Sequence, residues 1–267
     1  PNTLTSTGKW SIAGATEVTN PESGNYLAEF EVQSGATATL KANCRVKKAS
    51  IIGTVTDESN GYYIYVFDPS ANWWSSTTAT VDCELYLRNV GAAPGADILT
   101  NNRDVYVLTS ATDTLTMDAD INIGTGDIWV SGTGATDWQK LDLNGYDLTC
   151  RDIKLGTVVA NASGYLYCGS GNINCRNIEE YAAASTNNEL HLETCVLTLT
   201  GTFDGTDISV TNSEARVHNG TIQDVDCSGT SALKAFHSTD GGSNDKVLFI
   251  TGLGSSIFGS GIMRRIA

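Results

Sequence analysis

Four acidic residues gathered around turns, Asp113, Asp118, Asp120 and Asp127, are the first candidates for chemistry in this sequence. Carboxylates on one face can divide the acid and base roles on a glycosidic bond, or offer hard oxygen ligands to Ca²⁺. Asp204 with Asp207, and Asp224 with Asp226, repeat the pairing further on. Asp is also an ordinary turn residue, and a solvated turn accounts for the same spacing. None of these stretches has the EF-hand spacing or the calcium-binding nonapeptide repeat. Calcium at Asp113, Asp118, Asp120 and Asp127 therefore stands as an expectation, with no other cofactor implied.

Aromatic residues form a second group: Tyr62, Tyr63 and Tyr65 in one strand-like run, and Trp73 and Trp74 in the loop after it. Exposed rings stack on sugars or anchor a partner protein, while buried ones form a strand face and a loop clasp. His191, His218 and His237 show no spacing that suggests a nucleophile and base. Alternating Thr in Ala36–Leu40 and in Leu197–Thr200 reads as the solvated face of strands. Seven cysteines leave at least one outside any intramolecular disulfide. Most fall in strand-like runs, where a free thiol behaves as a small hydrophobe.

The elements that must position these groups are β-strands. Of 267 residues, 40% are hydrophobic and only 17% charged, with 27 Gly and 4 Pro. That is a β-rich composition with many tight turns. The net charge of −14 excludes nucleic acid, which needs clustered Lys and Arg to displace counterions. There is no run apolar enough to insert in a membrane. The chain opens on Pro1, so localisation is not read from its first residues.

One pattern is written three times between Leu141 and Phe203. Leu141, Leu148 and Ile153 recur as Leu166, Ile173 and Ile178, then as Leu190, Leu197 and Phe203. A fixed period of about 25 residues with short alternating runs is the mark of a solenoid. Leu141 is predicted to lie under Leu166 and Leu190, Leu148 under Ile173 and Leu197, and Ile153 under Ile178 and Phe203. Cys150 and Cys175 then become neighbours about 4.8 Å apart, with a disulfide open but not required. An earlier, slightly longer copy begins at Leu115, and a later one is expected at Val217, Ile222 and Cys227. The pair Cys44-Arg45 matches Cys150-Arg151 and Cys175-Arg176, a trace of the same coil in the N-terminal third. The predicted class is all-β, a parallel β-helix of about 25 residues per coil. Its first third is either irregular coils of that helix or a small β-sandwich. The predicted divisions are a β-rich region over 1–110, the β-helix over 111–238, and a cap or exit segment over 239–267.

The copies from Leu141-Asp-Leu143-Asn-Gly145-Tyr-Asp-Leu148-Thr onward resemble right-handed parallel β-helices of the pectate-lyase-like type. The stretch Ser238-Thr-Asp240-Gly241-Gly242-Ser-Asn244 to Phe249 is similar to the closing segment of β-helical surface proteins of phages and uncultured microbes. The resemblance covers residues 113–250 and implies a non-enzymatic structural or adhesive role on a virion surface or outside a cell. It further implies other virion or surface proteins as partners and assembly as a homo-oligomer, a trimer in the first instance; a glycan receptor is the partner that the aromatic group adds. The catalytic pattern of clustered Asp with Arg or Lys is not matched. A β-helical carbohydrate-active enzyme and a glycan-binding module using Tyr62, Tyr63, Tyr65, Trp73 and Trp74 remain the alternatives.

Overall fold

A computed structural model describes residues 9–19, 27–66, 80–88, 91–92, 99–100, 103–108, 114–117, 120–130, 138–156, 163–181, 188–206, 208–227 and 231–250. The described residues are all-β, without a helix, and form a parallel β-solenoid at a spacing of about 21 residues per turn.

One face is a 12-stranded parallel sheet running from Lys9–Ile12 to Thr239–Gly242. A second, 6-stranded face runs from Gly91–Ala92 to Ile208–Asn212. The third position is filled by a 5-stranded sheet in the N-terminal coils and a 7-stranded sheet afterwards. These two meet where Leu99–Thr100 approaches Ile121–Asn122. Face one crosses residue 110 through the pairs Leu85↔Val105 and Val105↔Ile128. The described residues between 9 and 88 are thus coils of the same solenoid rather than a sandwich.

Alternation explains the strands. Inward positions carry Leu, Ile, Val, Phe and Cys, which suit a pleated surface packed on one side. The inner file of face one is Cys44, Ile64, Leu85, Val105, Ile128, Ile153, Ile178, Phe203 and Ile222, each pairing with the next. Every member is buried. Each large member contributes about 1.5–3 kcal/mol by leaving water. The three predicted stacks occur residue for residue: Leu141↔Leu166↔Leu190, Leu148↔Ile173↔Leu197 and Ile153↔Ile178↔Phe203.

Coil length varies most at one connection. From face two to face three the step is 6 residues from Leu115 to Ile121 and 7 in the later coils, as in Leu141 to Leu148 and Val210 to Val217. From face one to face two it is 13, 13, 12 and then 7: Ile128 to Leu141, Ile153 to Leu166, Ile178 to Leu190, and Phe203 to Val210. The 25-residue period therefore belongs to the central coils alone. The next coil is shorter, and Phe203 sits against Ile222 rather than Cys227. Cys44 is level with Ile153, three residues past Cys150, so the Cys44-Arg45 doublet is not an equivalent of the other two.

Candidate functional site

The corner between faces three and one collects most of the buried charge. From Leu85 to Ile178 the residue just before each inward position of face one is acidic or an amide: Glu84, Asp104, Asp127, Asp152, Asn177. Stacked one coil apart, like charges repel, and burial raises the cost further. The fold answers with donors from the following coil. The Asp127 N–H donates to Asp104 Oδ1 at 2.9 Å, Asn177 N–H to Asp152 Oδ1 at 3.1 Å, and Thr202 N–H to Asn177 Oδ1 at 2.8 Å.

Arginines complete the corner. Arg151 reaches back one coil and grips Asp127 with Nε and Nη2, both at 2.7 Å. Arg176 grips Asp152 in the same way, Nε at 2.9 Å. Such a two-point fork fits the planar guanidinium. Lys154 Nζ adds a contact to Asp127 at 3.0 Å. The Asp127 and Asp152 side chains are each 1% exposed, while Arg151 and Arg176 are 42% and 53% exposed. Burial pushes the Asp127 carboxyl up, but the hydrogen bonds and charges of Arg151 and Lys154 outweigh it and hold it below its ordinary value. In the N-terminal coils Arg103 plays the same part for buried Asp57, at 2.8 Å. Gly126 lies at this corner because a Cβ there would stand 2.0 Å from the Arg103 carbonyl oxygen.

Outside this corner, toward face three, the chain forms a groove of about 330 Å³. The arginines flank it, and Thr149, Asn174 and Thr198, stacked in one outward file, line its wall. Thr125 and Thr200 close its ends, and Cys150 and Cys175 border it. Both thiols are buried and free, as are the other five. Burial pushes the Cys150 thiol far above its usual value and Cys175 up to about 12, so neither is a thiolate at neutral pH.

Tyr63 and Tyr65 lie outward on face one, where the structure extends them into a longer aromatic file. Tyr65, Tyr86, Tyr106, Trp129 and Lys154 pair in register along successive coils. Ring centroids are 6.3, 4.3 and 5.5 Å apart from Tyr65 to Trp129, and Tyr63 lies 4.7 Å from Tyr86. Lys154 Nζ caps the Trp129 ring at 4.3 Å, and Tyr181, 42% exposed, meets its edge. The rings of Tyr86 and Tyr106 are turned toward each other at 9°. Their edges and hydroxyls, rather than free faces, are therefore what face one offers. Burial, then Glu84, pushes the Tyr86 hydroxyl up to about 12. The Trp129 indole N–H donates to Asp104 Oδ2 at 3.2 Å, tying the aromatic file to the acidic one. Tyr62 is part-buried and packs on the core.

Trp73, Trp74, Asp113 and Asp118 lie outside the described residues. Asp120 and Asp127 sit at opposite ends of the turn of chain carrying Ile121 and Ile123, and Asp120 accepts the Asp147 N–H at 2.9 Å. Among the described residues no group of three or more His, Cys, Asp or Glu side chains is placed to hold a metal ion. His191 stacks on Tyr167 at 4.3 Å and bonds Glu189 and Thr211, both at 2.8 Å. Sequence reasoning used the Cys-Arg doublets as repeat markers and missed their chemistry. The signal was an Asp at 127 and at 152, 24 residues before each Arg, the length of one central coil less one.

Comparison with protein-family models, with curated proteins and with solved structures finds no match.

Proposed function

We propose that the chain is a non-enzymatic structural and adhesive element of a virion or cell exterior, of the kind found in phage capsid decorations, fibres or tails. One observation carries this reading. The buried carboxylates of the corner are closed off by cationic forks, Asp127 by Arg151 and Lys154, Asp152 by Arg176. A carboxylate so engaged holds coils together and is poorly placed to exchange protons with a substrate. The stacked coils supply a stiff support, and the outward surfaces are left for contact with glycan and with other surface proteins. Homo-oligomerisation, a trimer in the first instance, belongs to the same proposal, and the half-exposed Tyr65–Trp129 file is the lateral surface offered for it.

A glycan-binding module is the second reading, favoured by the hydroxyl and amide side chains along the groove. The test is to pass the full chain over immobilised neutral, carboxylated and sulfated polysaccharides and to follow new chain ends in solution. Retention without new ends is the expected result. Release of new ends would identify a β-helical carbohydrate-active enzyme instead. Sedimentation of the same material reads the number of copies.

A further inference from the structure

We infer that the groove beside Arg151 and Arg176 binds an oxyanion, carried on a ligand rich in hydroxyl groups. Three features of the groove converge on that chemistry. First, each arginine is already fixed in place. Its Nε and Nη2 are used by Asp127 or Asp152, behind the groove. The remaining terminal nitrogen, Nη1, has no hydrogen bond to another described residue in either case. A guanidinium held on one edge presents its other edge without loss of further side-chain freedom, which favours binding. Two such edges, one coil apart, suit the oxygens of a carboxylate, sulfate or phosphate.

Second, the wall carries polar side chains with nothing to do inside the protein. Thr149, Asn174, Thr198 and Thr200 line the groove, and none of these side chains has a hydrogen-bond partner among the described residues. Elsewhere along the same corners, Asp147, Asn172, Asp152 and Asn177 are all engaged in bonds between coils. These few unengaged donors and acceptors, set in a wall whose exposed surface is mostly carbon and next to fixed cations, fit a sugar-like ligand bearing a negative group. Third, the bordering thiols carry no charge at neutral pH, since burial raises both, so they add nothing to the negative charge of Asp127 and Asp152, which Arg151, Arg176 and Lys154 offset. The volume of about 330 Å³ lies at the small end of ligand pockets. It suits one or two sugar-sized units.

This inference deepens the adhesive reading by giving it a ligand, and it rests on that reading only for its biological purpose. The test is a heteronuclear NMR titration of the full chain with glucose 6-sulfate, inorganic sulfate and glucose. Arg176→Gln is a poor probe, because it strands buried Asp152 and threatens the fold. The double substitution N174A/T198A touches no ion pair and leaves both arginines in place. Glucose 6-sulfate is expected to move the amides of Thr149, Asn174 and Thr198 saturably. Glucose is expected to bind at least about tenfold more weakly, and N174A/T198A to weaken the sulfated sugar by about tenfold, some 1.4 kcal/mol, with Tm unchanged. Inorganic sulfate that binds as tightly as the sugar sulfate also supports the site and identifies a free anion as its ligand. Weaker inorganic sulfate points to the sugar-borne group. Absence of saturable shifts, equal binding of glucose and its sulfate, or an unchanged double variant would overturn the inference. If sulfated polymer is retained equally by N174A/T198A, the adhesive reading stands and the groove falls. If the polymer is cut, the adhesive reading falls whatever the groove binds.

Discussion

The N-terminal coils and the central coils solve one packing problem in two ways. Between Cys44 and Val105 the inward file of face one advances by 20, 21 and 20 residues, whereas from Ile128 to Phe203 it advances by 25 each time. The N-terminal strands pack stacked tyrosines outside face one and pair buried Asp57 with Arg103. The central strands add a full second face and repeat an Asp-to-Arg fork on successive coils. In both, the inner file is continuous. The difference teaches that a parallel solenoid fixes its rungs through the inward stack and the strand spacing, and leaves coil length to the corners. Charge can then be buried at a corner provided each coil brings the donor its neighbour needs.

The equivalence of the two regions is broken most sharply at the core. Phe30 and Phe203 are both fully buried on face one. Each is expected to lose about 3–5 kcal/mol on substitution by alanine, read by denaturant titration. Two clearly unequal losses would show that the regions do not share one stack. Next in size is the ion pair. Asp127→Asn should cost about 3 kcal/mol, because a buried pair loses one member. Acid gives a related reading. Asp127 is held below its ordinary carboxyl value of 3.8, so its contribution is complete above that pH and is lost as pH falls through the lower folded value. The wild-type advantage over Asp127→Asn should therefore shrink below about pH 4, measured as Tm against pH.

Trp129→Ala, which empties the aromatic file between Tyr106 and Lys154, should cost about 1–2 kcal/mol, since the ring is half-exposed and only part of its area leaves water. Smallest of all should be a shortening of the connection over residues 182–187. The following coil makes the same crossing in 7 residues instead of 12. Removing the surplus is expected to change stability by less than about 0.5 kcal/mol, whereas collapse of the fold would show that the long crossing is part of the stack.

The same comparison explains what the sequence disclosed. Leu141 to Phe203 was legible because three coils of nearly equal length follow one another, so apolar positions recur at a constant offset. The N-terminal coils share the fold without the offset to match. Their inward residues, such as Cys44 and Ala49, are interchangeable with Ile and Leu as buried apolar groups, so no motif marks them. Likewise Tyr65 was visible, but Tyr86, Tyr106 and Trp129 joined it only once register was known, being 21, 20 and 23 residues on. The arginine groove was hidden for another reason. Arg151 and Arg176 each act on a residue 24 positions earlier, a pairing that exists only after the chain has closed a coil.

Hydrogen exchange of the full chain, resolved to single amides, tests the central claim of one continuous stack most directly. The face-one amides of Ile64, Leu85, Val105, Ile128 and Ile153 are predicted to be protected as a series, with no step between Leu85 and Ile128. Exchange of residues 9–88 as a separate, weakly protected unit, with residues 121–250 unaffected, would contradict it.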